Sequence, residues 1–207
     1  MVVPKVIAVD PGHGYACASK GMLPGAIGAT NFPASNPPPG FLKEDELTMA
    51  IALEFKRLAS PTYKVVLTKS SVNDCPEFVE RGETAIDAEA DVFVSVHINK
   101  RNDKWGVEIP FGNGTSGIYN SSRPMAAKTL ASLMAANVSA CLGVNNRGAM
   151  VDNGLAVLKS TVTPGMIAVL VEAARLSGSD EERLHAASSA TRVATGIKAA
   201  LDAYFGN

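Results

Sequence analysis

Among 207 residues only three are histidines, and two of them close apolar runs. His13 follows VIAVDPG in the stretch from Val6 to Gly14, and His97 ends the apolar part of VFVSVHIN, residues 92–99. A third run, IAVLVE at residues 167–172, ends on Glu172. Two imidazoles and a carboxylate are the donor set of a catalytic zinc, which takes three protein ligands and leaves a fourth position for water. Such a metal brings the pKa of its water to about 7 and polarises a carbonyl oxygen. The chemistry then needs a proton acceptor, so a second carboxylate must lie close by. Glu44 is that further carboxylate: it sits three residues before Leu47, at the end of the inward stripe of a helix-patterned segment, and is read as the third ligand beside His13 and His97, with Glu172 as the proton acceptor. Spacing leaves two assignments open. Either His13, Glu44 and His97 hold the metal and Glu172 moves the proton, or the two glutamates exchange roles. A carboxylate at the tip of a buried strand is partly desolvated, which raises its pKa toward the working pH and suits a base.

The elements that must position these groups read as strands of a parallel sheet, because continuous Val/Ile/Leu runs need helices on both faces. In open sheets of that kind the ligand crevice lies at the carboxyl ends of the strands, so polar residues ending three strands should meet there. Between the runs, Lys43 to Ser60 has helical spacing at Leu47, Ile51, Phe55 and Leu58, with Asp45 and Glu46 pointing away from that stripe. Tyr63 to Thr68 is expected as a strand, and Glu77 to Ala88 as a helix with Glu80, Arg81 and Glu83 on a solvated face. Trp105 to Phe111 reads as a further strand, with Pro110 suggesting an edge. A helix is expected over 121–142, capped by Ser121 or Ser122, with Pro124 in its first turn and Gly143 as its stop. A loop holding Arg147 and Gly148 then leads to a short strand, Leu155 to Leu158. Ser179 and Glu182 form a capping box for one final helix reaching Phe205. Alternating strands and helices give an α/β fold, a three-layer sandwich with a mostly parallel central sheet flanked by helices, in one domain over 1–207.

Smaller features belong to the same cleft. Ser95, His97 and Asn99 share a strand face, so Asn99 can orient His97 or touch substrate. Asp10 either accepts a hydrogen bond from a ligand imidazole or caps the turn. His185, in ERLHAAS, is expected to be structural or exposed. The loop from Gly14 to about Gly40, with prolines at 37–39, leaves the crevice end of the first strand and is expected to wall the cleft.

Composition narrows the classes. The formal net charge is −1 and 46% of residues are hydrophobic, which argues for a well-developed core and against a nucleic-acid partner. Cys17, Cys75 and Cys141 lack CxxC spacing. An odd count without a dense framework favours three thiols and a reducing compartment, with one disulfide plus one free thiol as the alternative. No leader pattern opens the chain, and no stretch approaches the roughly 20 apolar residues of a membrane span.

The order of these motifs resembles the zinc-dependent N-acetylmuramoyl-L-alanine amidases of the Amidase_3 family. The resemblance runs through VIAVDPGHG, GAIGA, the helix starting at Glu44 with AIA at Ala50 to Ala52, LT at Leu67, ADVFVSVHIN, NRG at Asn146, LAVLKSTVTPGM and VLVE. It implies that His13, Glu44 and His97 bind zinc and that Glu172 is catalytic, which decides between the two assignments. It also implies hydrolysis of the amide between the lactyl group of N-acetylmuramic acid and L-alanine in peptidoglycan. Two departures border the cleft. Ala173-Ala174-Arg175-Leu176-Ser177-Gly178 replaces the family's usual Gly-aromatic pair and Ser-Asn, and Tyr15 with a proline-rich insertion follows His13-Gly14. Arg147 and Arg175 are candidate substrate contacts, Arg175 toward a stem-peptide carboxylate, although a surface arginine is the plainer expectation. The absence of a leader and of a wall-binding module suggests a phage or prophage lysin, monomeric, held in the cytoplasm until released to the wall. Competing expectations are a zinc peptidase cutting the stem peptide, a non-catalytic wall-binding domain and a nucleotide-binding domain. The last would need a glycine-rich loop opening into a helix after the first strand, which PGHGYACASKG is not.

Overall fold

A computed structural model of the chain describes residues 3–14, 17, 25, 41–99, 112–122, 125–161, 163 and 165–207. Its strands are β1 (Val6–Pro11), β2 (Lys64–Leu67), β3 (Val92–Asn99), β4 (Thr115–Tyr119), β5 (Asn146–Val151) and β6 (Ile167–Arg175). Its helices are α1 (Glu44–Ala59), α2 (Phe78–Asp87), α3 (Met125–Leu142), α4 (Ala156–Ser160), α5 (Gly178–Leu184) and α6 (Ser189–Phe205). The six strands form one sheet in the order β2-β1-β3-β6-β4-β5. β2, β1, β3 and β6 are parallel, β4 is antiparallel to β6, and β5 runs with β4. The α/β layering expected from the alternating pattern is what the chain adopts.

Strand alternation sends side chains to two different cores. On one face, Val9, Val94, Val96, Val169 and Val171 pack with Ile51 and Phe55 of α1, Leu130 and Met134 of α3 and Ile197 and Leu201 of α6. On the other, Ala8, Phe93, Ala168 and Leu170 pack with Ala85 of α2 and Val157 and Leu158 of α4. Phe55 is fully buried, so truncation to Ala costs about 3–5 kcal/mol. α3 is long and apolar enough to cross a membrane by length and composition, but its Leu130, Met134, Val138 and Leu142 sit in the first core at helical spacing.

Several expected elements differ. Residues 155–158 form the N-cap and start of α4 rather than a strand, because both flanks of β6 are taken by β3 and β4. Arg147 and Gly148 lie in β5, not in a loop; NRGAMV lacks the β-branched run that marks a strand, and Gly148 sits at φ 75° beside a register shift. β4 has only five residues, two of them Ser and Gly, and carries no strand pattern. The expected strand at 105–111 and the proline-rich stretch at 31–40 lie outside the described residues, as does Pro124. The helix expected over 121–142 begins at Met125, and Gly143, at φ 80°, ends it as foreseen. The single final helix is two, α5 and α6, broken at His185–Ser188, and Ser177 rather than Ser179 precedes α5. α2 is as expected in extent, with a Glu77–Glu80 capping box, but Arg81 is buried rather than solvated.

Candidate metal centre and its surroundings

β1 ends at Pro11, and Gly12 and His13 turn over the carboxyl edge of the sheet. A Cβ on Gly12 would lie 2.5 Å from His97 Cε1, so only glycine lets the second imidazole come so close. Gly12 N–H donates to the Val96 carbonyl at 2.9 Å, tying the turn to β3. His13 takes a left-handed backbone, φ 56°, and its ring meets that of His97 edge-on with centroids 4.7 Å apart. Glu44, the first residue of α1 and 3% exposed, reaches over from the opposite face of the sheet. Its Oε1 lies 3.0 Å from His97 Nδ1 and 3.5 Å from His13 Nε2, and accepts from Ile98 N–H at 3.0 Å.

One ligand atom from each of His13, Glu44 and His97 falls within 4.8 Å of the others. Donors bound tetrahedrally at zinc distances sit about 3.3 Å apart, so these nitrogens and oxygen are crowded as a small cation would require. The electrostatics agree. Burial works to lower the His97 pKa, yet the Glu44 hydrogen bond and the charges of Glu44, Glu172 and Asp10 outweigh it and raise it. A pocket that draws a proton onto a buried imidazole attracts positive charge. The donor set therefore fits a divalent metal of the borderline class.

Glu172 stands opposite His97 in the parallel β3–β6 pair and opposite Ser116 in the antiparallel β4–β6 pair. β6 runs on past it to Arg175, instead of ending there. Burial pushes its carboxyl up to about 7, with His97 opposing the shift and the Glu44 charge adding to it. Its Oε2 is buried, with no hydrogen-bond partner among the described residues.

Asp10 neither contacts a ligand imidazole nor caps the turn. At 1% exposure it accepts from Thr68 Oγ1 at 2.6 Å, Ser95 Oγ at 2.7 Å and the Arg81 guanidinium at 2.7 Å, so four elements are braced from below the centre. Asp45 was expected to point outward but is buried, its Oδ1 accepting from Glu46 N–H, whereas Glu46 is exposed and pairs with Lys43. Cys17 and Cys75 form a disulfide with Cα atoms 5.5 Å apart, which leaves Cys141 as the free thiol and corrects the expectation of three thiols. Their separation of 58 residues hides a contact made by the connections that leave two neighbouring strands.

Asn99 is half-buried at the end of β3, opposite Arg175. Arg175 is 4% exposed, not a surface residue; its charge and that of Arg147 both act on buried Asp180, which accepts from Gly114 and Arg175 N–H. His185 is exposed, 3.9 Å from Glu181. A cavity of about 50 Å³ adjoins both histidines, walled by Gly14, Cys17, Phe78 and Val157. Sequence reading missed the residues that hold His13 from behind. Thr48 Oγ1 donates to the Gly12 carbonyl at 3.0 Å, and Lys69, buried at the end of β2, donates to the His13 carbonyl. The available signal was directional: β2 runs parallel to β1, so the residue after its end lands beside the residues after β1.

The family model described as Amidase_3, N-acetylmuramoyl-L-alanine amidase, matches residues 7–203. None of the curated proteins matches the chain. Among solved structures, the catalytic domain of CwlV, an N-acetylmuramoyl-L-alanine amidase from Bacillus (Paenibacillus) polymyxa var. colistinus, is 28% identical with a TM-score of 0.76, covering 98% of each chain. An N-acetylmuramoyl-L-alanine amidase from Clostridium difficile 630 is 23% identical with a TM-score of 0.75, over 99% of this chain and 98% of the other. The catalytic domain of the CD27L endolysin, which targets Clostridia difficile, shares the fold at 18% identity and a TM-score of 0.64, over 93% and 96%.

Proposed function

The chain belongs to the Amidase_3 family of N-acetylmuramoyl-L-alanine amidases, and from that premise we propose zinc-dependent cleavage of the bond between N-acetylmuramic acid and L-alanine in peptidoglycan. His13, Glu44 and His97 are the zinc ligands and Glu172 is the proton shuttle. The observation that carries this reading is the crowding of three donor atoms within 4.8 Å, with Glu172 next to His97 across the sheet. The competing assignment, with Glu172 as ligand, is disfavoured because Glu44 already lies against both imidazoles.

Zinc bound there supplies a Lewis acid for the lactyl carbonyl and a water acidic enough to deprotonate near neutral pH. The protein's own part is geometric and protic. His13 and His97 are held edge-on by the Gly12 turn, so their donor atoms are organised before any ligand arrives. Glu172, its carboxyl pushed up to about 7, takes a proton from the attacking water and passes it to the alanine nitrogen as the carbon–nitrogen bond breaks. Atoms and charge balance as amide plus water giving a lactyl carboxylate and the alanine ammonium. Asn99 and Arg175, at the β3–β6 end of the cleft, and Arg147, near the start of β5, are proposed substrate contacts.

The test is digestion of purified peptidoglycan by zinc-loaded wild type and by Glu172→Ala, with mass analysis of the products. Free stem peptides beginning with L-alanine, from wild type only, support the reading. Cuts confined to the stem peptide would make the protein a peptidase, and no release by zinc-loaded wild type would make it a binding domain.

A further inference from the structure

We propose that Ser116 is a positioning residue of this active site, holding Glu172 through the buried carboxylate oxygen Oε2; the inference rests on the reading of Glu172 given above. Ser116 and Glu172 are directly opposed in the antiparallel β4–β6 pair. Such partners project from the same face with Cβ atoms about 4.5–5.5 Å apart. The neighbouring residue fixes which face that is. A Cβ on Gly117 would lie 1.9 Å from the Ala131 carbonyl, so Gly117 is pressed against α3. By alternation Ser116 faces the other way, toward α2 and α4, as do Ile118, Leu170 and Phe93. His97, Glu172 and Ser116 therefore form a row across three adjacent strands.

Ser116 is 2% exposed, and its Oγ has no hydrogen-bond partner among the described residues. Glu172 Oε2 is buried and has none either. The two are chemically complementary, a hydroxyl that donates and a carboxylate that only accepts when ionised. A buried polar group left unpaired bears its full desolvation cost, so one contact, made directly after a χ1 rotation or across one water, relieves both. Glu172 as a whole is half-buried, so fixing Oε2 inward turns its other oxygen to the cleft. Proton uptake and delivery then use one oriented oxygen, and the orientation comes from a strand that carries none of the metal-ligand candidates.

The test is steady-state kinetics of zinc-loaded Ser116→Ala on a soluble muropeptide, alone and combined with Glu172→Gln. Expected is a fall in kcat on the order of tenfold, the scale of a hydrogen bond to a charged group, with KM and zinc affinity unchanged. In the Glu172→Gln background the same substitution should remove little more of the residual rate. Thermal unfolding should find Ser116→Ala folded, since it deletes one hydroxyl from a small side chain and leaves the packing of β4 in place. Wild-type kcat in Ser116→Ala, a raised KM with kcat intact, or an equal fractional loss in both backgrounds would overturn the proposal. Failure of the underlying reading shows separately, as undiminished kcat in Glu172→Gln alone.

Discussion

The buried ammonium of Lys69 donates a hydrogen bond to the main-chain oxygen of His13, and so joins the end of β2 to the one ligand candidate that sits in a left-handed backbone conformation. Partners that orient a ligand without touching the metal typically account for 10–100-fold in affinity. Lys69→Met should weaken zinc binding by roughly tenfold on that scale, measured by competition with a chromophoric chelator, and Lys69→Arg should recover part of it. Zinc affinity within twofold of wild type in Lys69→Met would show that His13 holds its place without the lysine.

Stripping metal with EDTA should abolish peptidoglycan cleavage, and zinc should restore it. The same exchange should appear without any substrate. A ligand present at about 100 times its Kd stabilises the folded state by about 2.7 kcal/mol, so the metal-free protein should unfold at a lower temperature. His13→Ala should remove most of the zinc-dependent shift; a shift of wild-type size in that variant would place the metal elsewhere.

In the metal-free protein the raised pKa of Glu172 has a definite sign. A carboxyl whose folded pKa is about 7 rather than 4.5 favours folding while it is protonated. That contribution is complete below about 4.5 and is lost as pH rises through about 7. Glu172→Gln imitates the neutral carboxyl and does not titrate. Its melting temperature, relative to metal-free wild type, should therefore climb between pH 5 and pH 8, and a difference that stays flat over that range would contradict the burial of this group.

Breaking the Cys17–Cys75 bridge frees a loop of 58 residues. Chain entropy assigns such a cross-link about 4 kcal/mol, within the range of about 2–5 kcal/mol that loss of a native disulfide typically costs. Urea unfolding of Cys75→Ser against oxidised wild type measures it, and coincident midpoints would mean the bridge adds no stability. Cys141→Ser, by contrast, should leave the midpoint in place.

Arg81→Ala should be among the costlier single changes on the α2 side. It leaves Asp10 as a buried carboxylate with two hydroxyl donors and without its ion-pair partner. Removing one partner of a buried pair typically costs about 3–5 kcal/mol. Chemical denaturation is the check, and a loss below about 1 kcal/mol would imply that Thr68 and Ser95 suffice.

The grouping of the candidate residues was legible in sequence because each of them ends or begins a strongly patterned segment. His97 and Glu172 close Val-rich runs, and Glu44 opens the Ile51–Phe55 stripe; burial on both sides of a parallel sheet forces those patterns. What supports the centre was not legible. Lys69 and Thr48 act through main-chain oxygens of residues 56 and 36 positions away, which no local periodicity encodes. Arg81 sits among Glu80 and Glu83 and looks like a solvated face until Asp10 is brought beneath it. The outer strands failed for a different reason: TSGIY and NRGAMV carry glycines because Gly117 must press on α3 and Gly148 must turn left-handed. The disulfide was hidden by the same distance that makes it effective.

β4 and β5 run against the other four strands, so it is their beginnings, at Thr115 and Asn146, that adjoin the rim of the candidate centre. Their far ends meet on the opposite side of the molecule, where the exposed Ser121 and Asn153 bond to each other and Asp152 N–H donates to Tyr119. That antipodal corner is where an affinity tag, a fluorophore or a grafted module can be attached without crowding the rim that carries the candidate metal centre.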